Sequence, residues 1–124
     1  MSGSGEDRLE VSASEIASAM RDPGRVLLID VRTEEEWRVS RVPGSVHIPL
    51  DELGMRAPGL DVGGAERVAV ICHHGRRSLH GAVVLREAGI EAVSVAGGIE
   101  AWSREVDPSV PRYHRGPGGC RLIL

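Results

Sequence analysis

Apolar positions along this chain come in short blocks of two alternating kinds, continuous runs and helix-spaced faces. The first face follows a full helix-entry signal: Ser12 as N-cap, Glu15 three residues on as its reciprocal cap, and Val11 opposite Ile16 as a hydrophobic staple. Ile16, Ala19 and Met20 share one side, and Asp22-Pro23-Gly24 ends the helix. Residues 26–31 are a continuous run broken only by Asp30, which predicts a strand covered on both faces. Thr33 and Glu36 form a second capping box and predict a short helix over 34–38. Residues 42–50 carry Pro43-Gly44 and Pro49 and read as a loop with a brief strand near 46–48; residues 55–64, rich in Gly and Pro, read as surface. A second buried-type strand follows at 68–72. The helical pattern returns at 78–88, with Leu79, Ala82 and Val83 at i, i+3 and i+4 and Gly89 as C-cap. A short strand at 93–95 and a helix at 98–104 with Ile99 and Trp102 complete the series.

Strands alternating with helices predict an α/β domain: a central parallel sheet of about five strands with helices on both faces. The expected division is a flexible N-terminus at 1–8, the domain at 9–106 and a tail at 107–124. That tail holds three Pro and three Gly with no period and is expected to be extended or loosely packed. No internal repeat is visible.

Composition then narrows the chemistry. The 124 residues suffice for one domain, and all fifteen positive charges are Arg, because Lys, Asn, Gln and Phe do not occur. Schiff-base chemistry and a Walker-type phosphate loop both need a lysine and are excluded. A papain-like triad lacks its Asn, and no G-x-S-x-G or H-E-x-x-H motif occurs. A formal charge of −3 argues against a nucleic-acid partner. No apolar run approaches the roughly 20 residues that span a bilayer, and residues 1–10 hold no apolar signal stretch. The expectation is a cytoplasmic protein with no membrane partner. Two Cys, at 72 and 120, are too few for a disulfide scaffold, which leaves a Cys in a distinctive setting as a candidate for chemistry.

That setting is Cys72-His73-His74-Gly75-Arg76-Arg77-Ser78, between a buried strand and a helix. A loop curling from a parallel strand into a helix points backbone N–H groups at a common centre, and the helix N-terminus adds about half a positive charge. Cys72 stands at the rim of that cradle, where the dipole, the N–H groups, Arg76, Arg77 and any protonated His favour a thiolate. Such a cradle suits a nucleophile attacking a centre attached to an oxyanion, with Arg76 and Arg77 to orient the anion. Sulfur transfer through a persulfide and phosphoryl transfer through a cysteinyl phosphate both meet that description.

Cys72 to Ser78 resembles the active-site loop of single-domain rhodaneses, the thiosulfate sulfurtransferases, in its Cys-His-His-Gly-x-Arg-Ser form. Leu28-Ile29-Asp30-Val31-Arg32, then Glu36-Trp37, then Val42 to Leu50 resemble the family's N-terminal signature, and Ala96-Gly97-Gly98-Ile99-Glu100-Ala101-Trp102 its C-terminal one. The three run in the family's order over roughly residues 9 to 106; Ser40-Arg41 departs from the usual Gly-His. The resemblance implies a rhodanese-like fold and a Cys72 persulfide. It also implies a small-molecule sulfur donor such as thiosulfate, a thiol, cyanide or sulfur-acceptor protein as recipient, and neither cofactor nor metal. A loop of six residues from Cys72 to Arg77 matches the sulfur-handling members; related phosphatases and arsenate reductases use one residue more.

Each candidate also has a plainer role. Cys72 could be a small buried hydrophobe. Arg77 could close the loop on a carboxylate, leaving Arg76 as the exposed anion contact. His73, His74 and Gly75 would act mainly through their backbone N–H groups, since a neutral His helps little at pH 7. Adjacent residues in a tight loop rarely converge on one tetrahedral ion, so Cys72, His73, His74 and His80 are not expected to hold a metal. Asp30 and Arg32 are expected to pin neighbouring loops, and Cys120 to be an incidental thiol. A binding or sulfur-relay module of the same fold, with little turnover of its own, is the main alternative to an enzyme.

Overall fold

The computed structural model describes residues 7–124; most of the N-terminal segment expected to be flexible lies outside the described residues. The sequence pattern folds into β1 (Glu10–Val11), α1 (Ala13–Ala19), β2 (Val26–Asp30), α2 (Glu34–Val39), β3 (Val46–His47) and α3 (Leu50–Arg56). It continues with β4 (Arg67–Ile71), α4 (Arg76–Glu87), β5 (Ala92–Val95), α5 (Gly98–Glu105), β6 (Tyr113–Gly116) and β7 (Gly119–Leu122). Five strands form one parallel sheet in the order β1-β5-β4-β2-β3. β4 is its centre, paired along its whole length with β2 from Val26↔Arg67 to Asp30↔Ile71.

Because side chains alternate along a strand, the continuous apolar runs supply two cores at once. Leu28, Ala69, Ile71, Val93 and Val95 face Ile16 of α1 and Ile99 and Trp102 of α5. Ile29, Val68, Val70 and Ala92 face Leu53 of α3 and Ala82 and Leu85 of α4. Truncating one of the fully buried Leu or Ile residues to Ala costs about 2–5 kcal/mol. Among the described residues no helix is long and apolar enough to cross a membrane.

The caps bear on the site. At α2 the box is complete: the Glu36 N–H donates to Thr33 Oγ1 at 3.3 Å, and the Thr33 N–H to Glu36 Oε1 at 3.2 Å. At α1 only half forms. Ser12 Oγ accepts the Glu15 N–H, but the Glu15 carboxylate turns to Arg8 and Arg67, and the Arg8 bond foremost holds its pKa down at about 2.

Three expectations are corrected. Residues 50–56, for which the sequence pattern predicts a loop at 50, surface at 55–56 and no element at 51–54, are helix α3, anchored by fully buried Leu53 against α4. Helix α4 begins at Arg76, two residues earlier than its apolar spacing suggested, so Arg76 and Arg77 belong to its first turn. Residues 107–124 are not a loosely packed tail: β6 and β7 pair as an antiparallel hairpin from Tyr113↔Leu122 to Gly116↔Gly119, held to the domain by buried Tyr113.

Candidate active site

β4 delivers Cys72 to the carboxyl end of the sheet's central strand, where ligands of open α/β sheets bind. The chain turns within three residues because Gly75, the N-cap of α4, adopts φ +98°, a conformation side chains disfavour; a Cβ there would also lie 3.0 Å from the Gly97 backbone N. The turn rests on the start of α5. Ile99 and Glu100 donate their N–H groups to the carbonyls of Cys72 and His73, at 2.8 and 3.2 Å. Gly98, at φ +58°, lies so close beneath that a Cβ would collide with both carbonyl oxygens. With its carbonyls tied downward, the loop leaves N–H groups for Cys72.

Two reach the sulfur. Cys72 Sγ accepts the Gly75 N–H at 3.1 Å and the Ser78 N–H at 3.3 Å. The latter is one of the first N–H groups of α4, which have no carbonyl partner within the helix. The thiol donates to Ser78 Oγ at 3.3 Å, and Ser78 Oγ lies 2.7 Å from Ser94 Oγ. Once the thiol ionises, Ser78 can turn its O–H toward the sulfur and take a bond from Ser94, giving the thiolate a third donor.

The predicted residues separate into distinct places. Arg76 is exposed on the rim, and among the described residues no carboxylate pairs with it. Arg77 forms two parallel bonds with Glu36, Nη1–Oε1 2.7 Å and Nη2–Oε2 2.8 Å, the loop-closing role the sequence left open. His74 is exposed at the mouth. The His73 ring stacks on Tyr113 with centroids 3.9 Å apart, and Nε2–H donates to the Tyr113 carbonyl at 3.1 Å. Burial, with neighbouring His74 next, pushes its pKa down to about 4, so at neutral pH it is uncharged. Cys120 lies on the hairpin, its thiol pushed up first by burial and then by Glu35 and Glu36, a setting that does not favour a thiolate.

Behind the loop is a buried polar chain. Arg32, fully buried, binds Asp30 at 2.7 Å and donates to the carbonyls of Glu36 and Ser40 and to the Tyr113 hydroxyl at 3.0 Å. Tyr113 in turn donates to Glu36 Oε2 at 2.7 Å. Burial alone would raise the Glu36 pKa, but its bonds from Arg77, Tyr113 and Thr33 prevail and hold it well below the ordinary carboxylate range. Asp30 and Arg32 thus pin the loops as expected.

Above Cys72 is an open pocket of about 410 Å³. One side is the 72–77 loop; the other is His114 and Arg115 of the hairpin, which sequence reasoning missed along with Ser78, Ser94 and Tyr113. Val110 and Tyr113, both buried, were the residues of the segment that could signal that the tail packs. Among the described residues no cluster of His, Cys, Asp and Glu has the arrangement of a metal site.

Comparison with known proteins identifies the family and the fold. A family model described as "Rhodanese-like domain" matches residues 12–105. The chain is 34% identical over 110 residues to "Rhodanese-like/PpiC domain-containing protein 12, chloroplastic" of Arabidopsis thaliana, covering 84% of this chain and 37% of the relative. It is 38% identical over 97 residues to "Adenylyltransferase and sulfurtransferase uba4" of Ogataea parapolymorpha, covering 77% of this chain and 24% of that protein. The chain thus spans well under half the length of these curated relatives. Among solved structures it resembles a human single-domain sulfurtransferase at TM-score 0.68 and 27% identity, covering 78% of this chain and 96% of that one.

Proposed function

The chain belongs to the rhodanese-like family, and on that premise we propose that it is a sulfurtransferase working through a Cys72 persulfide, with thiosulfate or a similar sulfane-sulfur compound as donor. The observation that carries this reading is the pair of backbone N–H donors converging on Cys72 Sγ, with the Ser78 hydroxyl that accepts from the thiol placed to become a third donor once it ionises, at the mouth of a pocket whose lining holds arginines and no carboxylate.

The Cys72 thiolate attacks the outer sulfur of the donor. A bond forms between Sγ and that sulfur, the donor's S–S bond breaks, and its electron pair leaves with sulfite. An acceptor thiolate or cyanide then attacks the outer sulfur of the persulfide; the S–S bond breaks and the pair returns to Sγ. Neither step needs an oxidant, a reductant or a metal. The Gly75 and Ser78 N–H groups, fixed before reaction begins, stabilise charge on the transferred sulfur. Arg76 meets the leaving anion. His73 and His74 contribute backbone, and Arg77 holds the loop's shape.

A protein acceptor is supported by the relatives. Of the first two, the second is named as a sulfurtransferase within a longer protein, and "Putative sulfur carrier protein YrkF" of Bacillus subtilis is another match. The same observation favours a second reading, a relay module that accepts sulfur and passes it to a docked partner with little turnover on free cyanide. Steady-state turnover of thiosulfate and cyanide, run beside an aryl phosphate and arsenate, tests the proposal against Cys72→Ser. Thiosulfate turnover lost in the variant supports the enzyme. Persulfide formation without turnover favours the relay, and aryl phosphate hydrolysis or arsenate reduction overturns both.

A further inference from the structure

The family match ends at residue 105, yet the pocket over Cys72 is walled on one side by residues 114 and 115. The wall is built, not draped. Tyr113 is 1% exposed and is tied to the site through its hydroxyl with Arg32 and Glu36 and its carbonyl with His73. Ser40 Oγ donates to the Pro111 carbonyl at 2.6 Å, Arg112 pairs with Glu100 at 2.9 Å, and the Cys120 N–H donates to Glu35 at 3.3 Å. On a strand, residues two apart share a face, so buried Tyr113 fixes where Arg115 stands.

Charge gives the wall a use. Glu36 lies 3.7 Å from Arg115 Nε, but its oxygens already take two bonds from Arg77, two from Thr33 and one from Tyr113. Arg115 remains 48% exposed and lines, with Arg76, the pocket over Cys72, whose lining holds no carboxylate; it also borders a neighbouring pocket that holds Glu34, Asp51 and Glu52. From this we infer that the β6–β7 hairpin is a substrate-recognition wall, in which Arg115, beside His114, selects sulfur donors bearing a doubly charged oxyanion group over singly charged ones. The inference rests on the sulfur-transfer reading of Cys72 and adds a specificity element outside the matched domain.

Thiosulfate and methanethiosulfonate separate charge from chemistry. Each gives its outer sulfur to Sγ as its S–S bond breaks, the pair leaving on sulfite from the dianion and on methanesulfinate from the monoanion. A second readout needs no sulfur transfer: the ratio of Cys72 alkylation rates by iodoacetate, an anion, and iodoacetamide, which is neutral. Arg115→Gln is expected to raise KM for thiosulfate about threefold more than for methanethiosulfonate, with kcat held within about twofold, and to lower the alkylation ratio about threefold. Arg115→Lys restores both ratios. Arg21→Gln, the same charge change on an exposed residue away from the site, moves neither. Unchanged ratios in Arg115→Gln, or equal losses for both donors, overturn the inference. Wild-type protein that turns over neither donor overturns the sulfur-transfer reading instead, and the alkylation ratio still decides the wall.

Discussion

Arg77 and Glu36 meet through two parallel bonds of 2.7 and 2.8 Å across forty-one residues of chain, tying the first turn of α4 to the first turn of α2. The Glu36 side chain is fully buried, so removing Arg77 leaves its charge to Tyr113, Thr33 and the more distant Arg115. Arg77→Ala is therefore expected to lower the unfolding free energy by about 1–3 kcal/mol, less than a wholly buried pair because Arg77 is part exposed. Arg76→Ala, next to it on the rim, is expected to change stability by under about 0.5 kcal/mol while raising the donor KM. Urea unfolding at pH 7 beside donor kinetics checks the contrast; similar stability losses would show that Arg77 does not close the loop.

Gly98 sets the height of the cysteine loop. Gly98→Ala forces a Cβ into the carbonyls of Cys72 and His73 at a backbone angle side chains disfavour. The loop must rise, displacing Gly75 N–H from Sγ. A misplacement of this kind is expected to cost about a hundredfold in donor turnover, beyond any loss of stability. Near-normal kcat/KM in a folded Gly98→Ala protein would mean that the loop's N–H groups do not matter.

Ser78 supplies Cys72 with both an N–H and a hydroxyl. Ser78→Ala keeps the first and loses the second, and is expected to lower kcat/KM about tenfold or more, the range of a hydrogen bond to a charged group. Ser94→Ala removes only the bond behind it and should have a smaller effect. Equal effects would place the pair in the core's stability and not in the reaction.

His73 makes the fold sensitive to acid. Its pKa, pushed down to about 4 by burial and by His74, lies below the ordinary 6.5, so as pH falls the unfolded chain takes up a proton on this ring first. The ring's effect on stability is nil above pH 6.5 and turns unfavourable between 6.5 and about 4, by about 1–3 kcal/mol in all. His73→Gln keeps an N–H for the Tyr113 carbonyl but cannot titrate. Urea midpoints at pH 7, 6 and 5 should decline less in the variant than in the wild type; parallel declines would assign the acid sensitivity elsewhere.

The parallel sheet was legible because β2, β4 and β5 are covered on both faces and read as continuous apolar runs. The Thr33–Glu36 box marked α2 outright. Helix α3 was hidden because Pro49 provides no side-chain cap, Gly54 interrupts it, and Met55 is exposed, so Leu53 alone carries its burial. The hairpin was hidden because β6 and β7 beyond Tyr113 are largely exposed and show no alternation; its turn at residues 117–118 reads from sequence as mere loop composition. Half the site suffered the same way. Cys72 to Arg77 is contiguous and announced itself, whereas Ser94, Tyr113, His114 and Arg115 reach it only through tertiary packing, which no local spacing encodes.

A Cys72 persulfide is the central claim, and mass spectrometry of the full chain after incubation with thiosulfate tests it most directly. The expected result is one added sulfur atom, located on the Cys72 peptide, removed by cyanide, absent in Cys72→Ser and retained in Cys120→Ser. Protein that takes up no sulfur, or carries it on Cys120 with Cys72 unmodified, would contradict it.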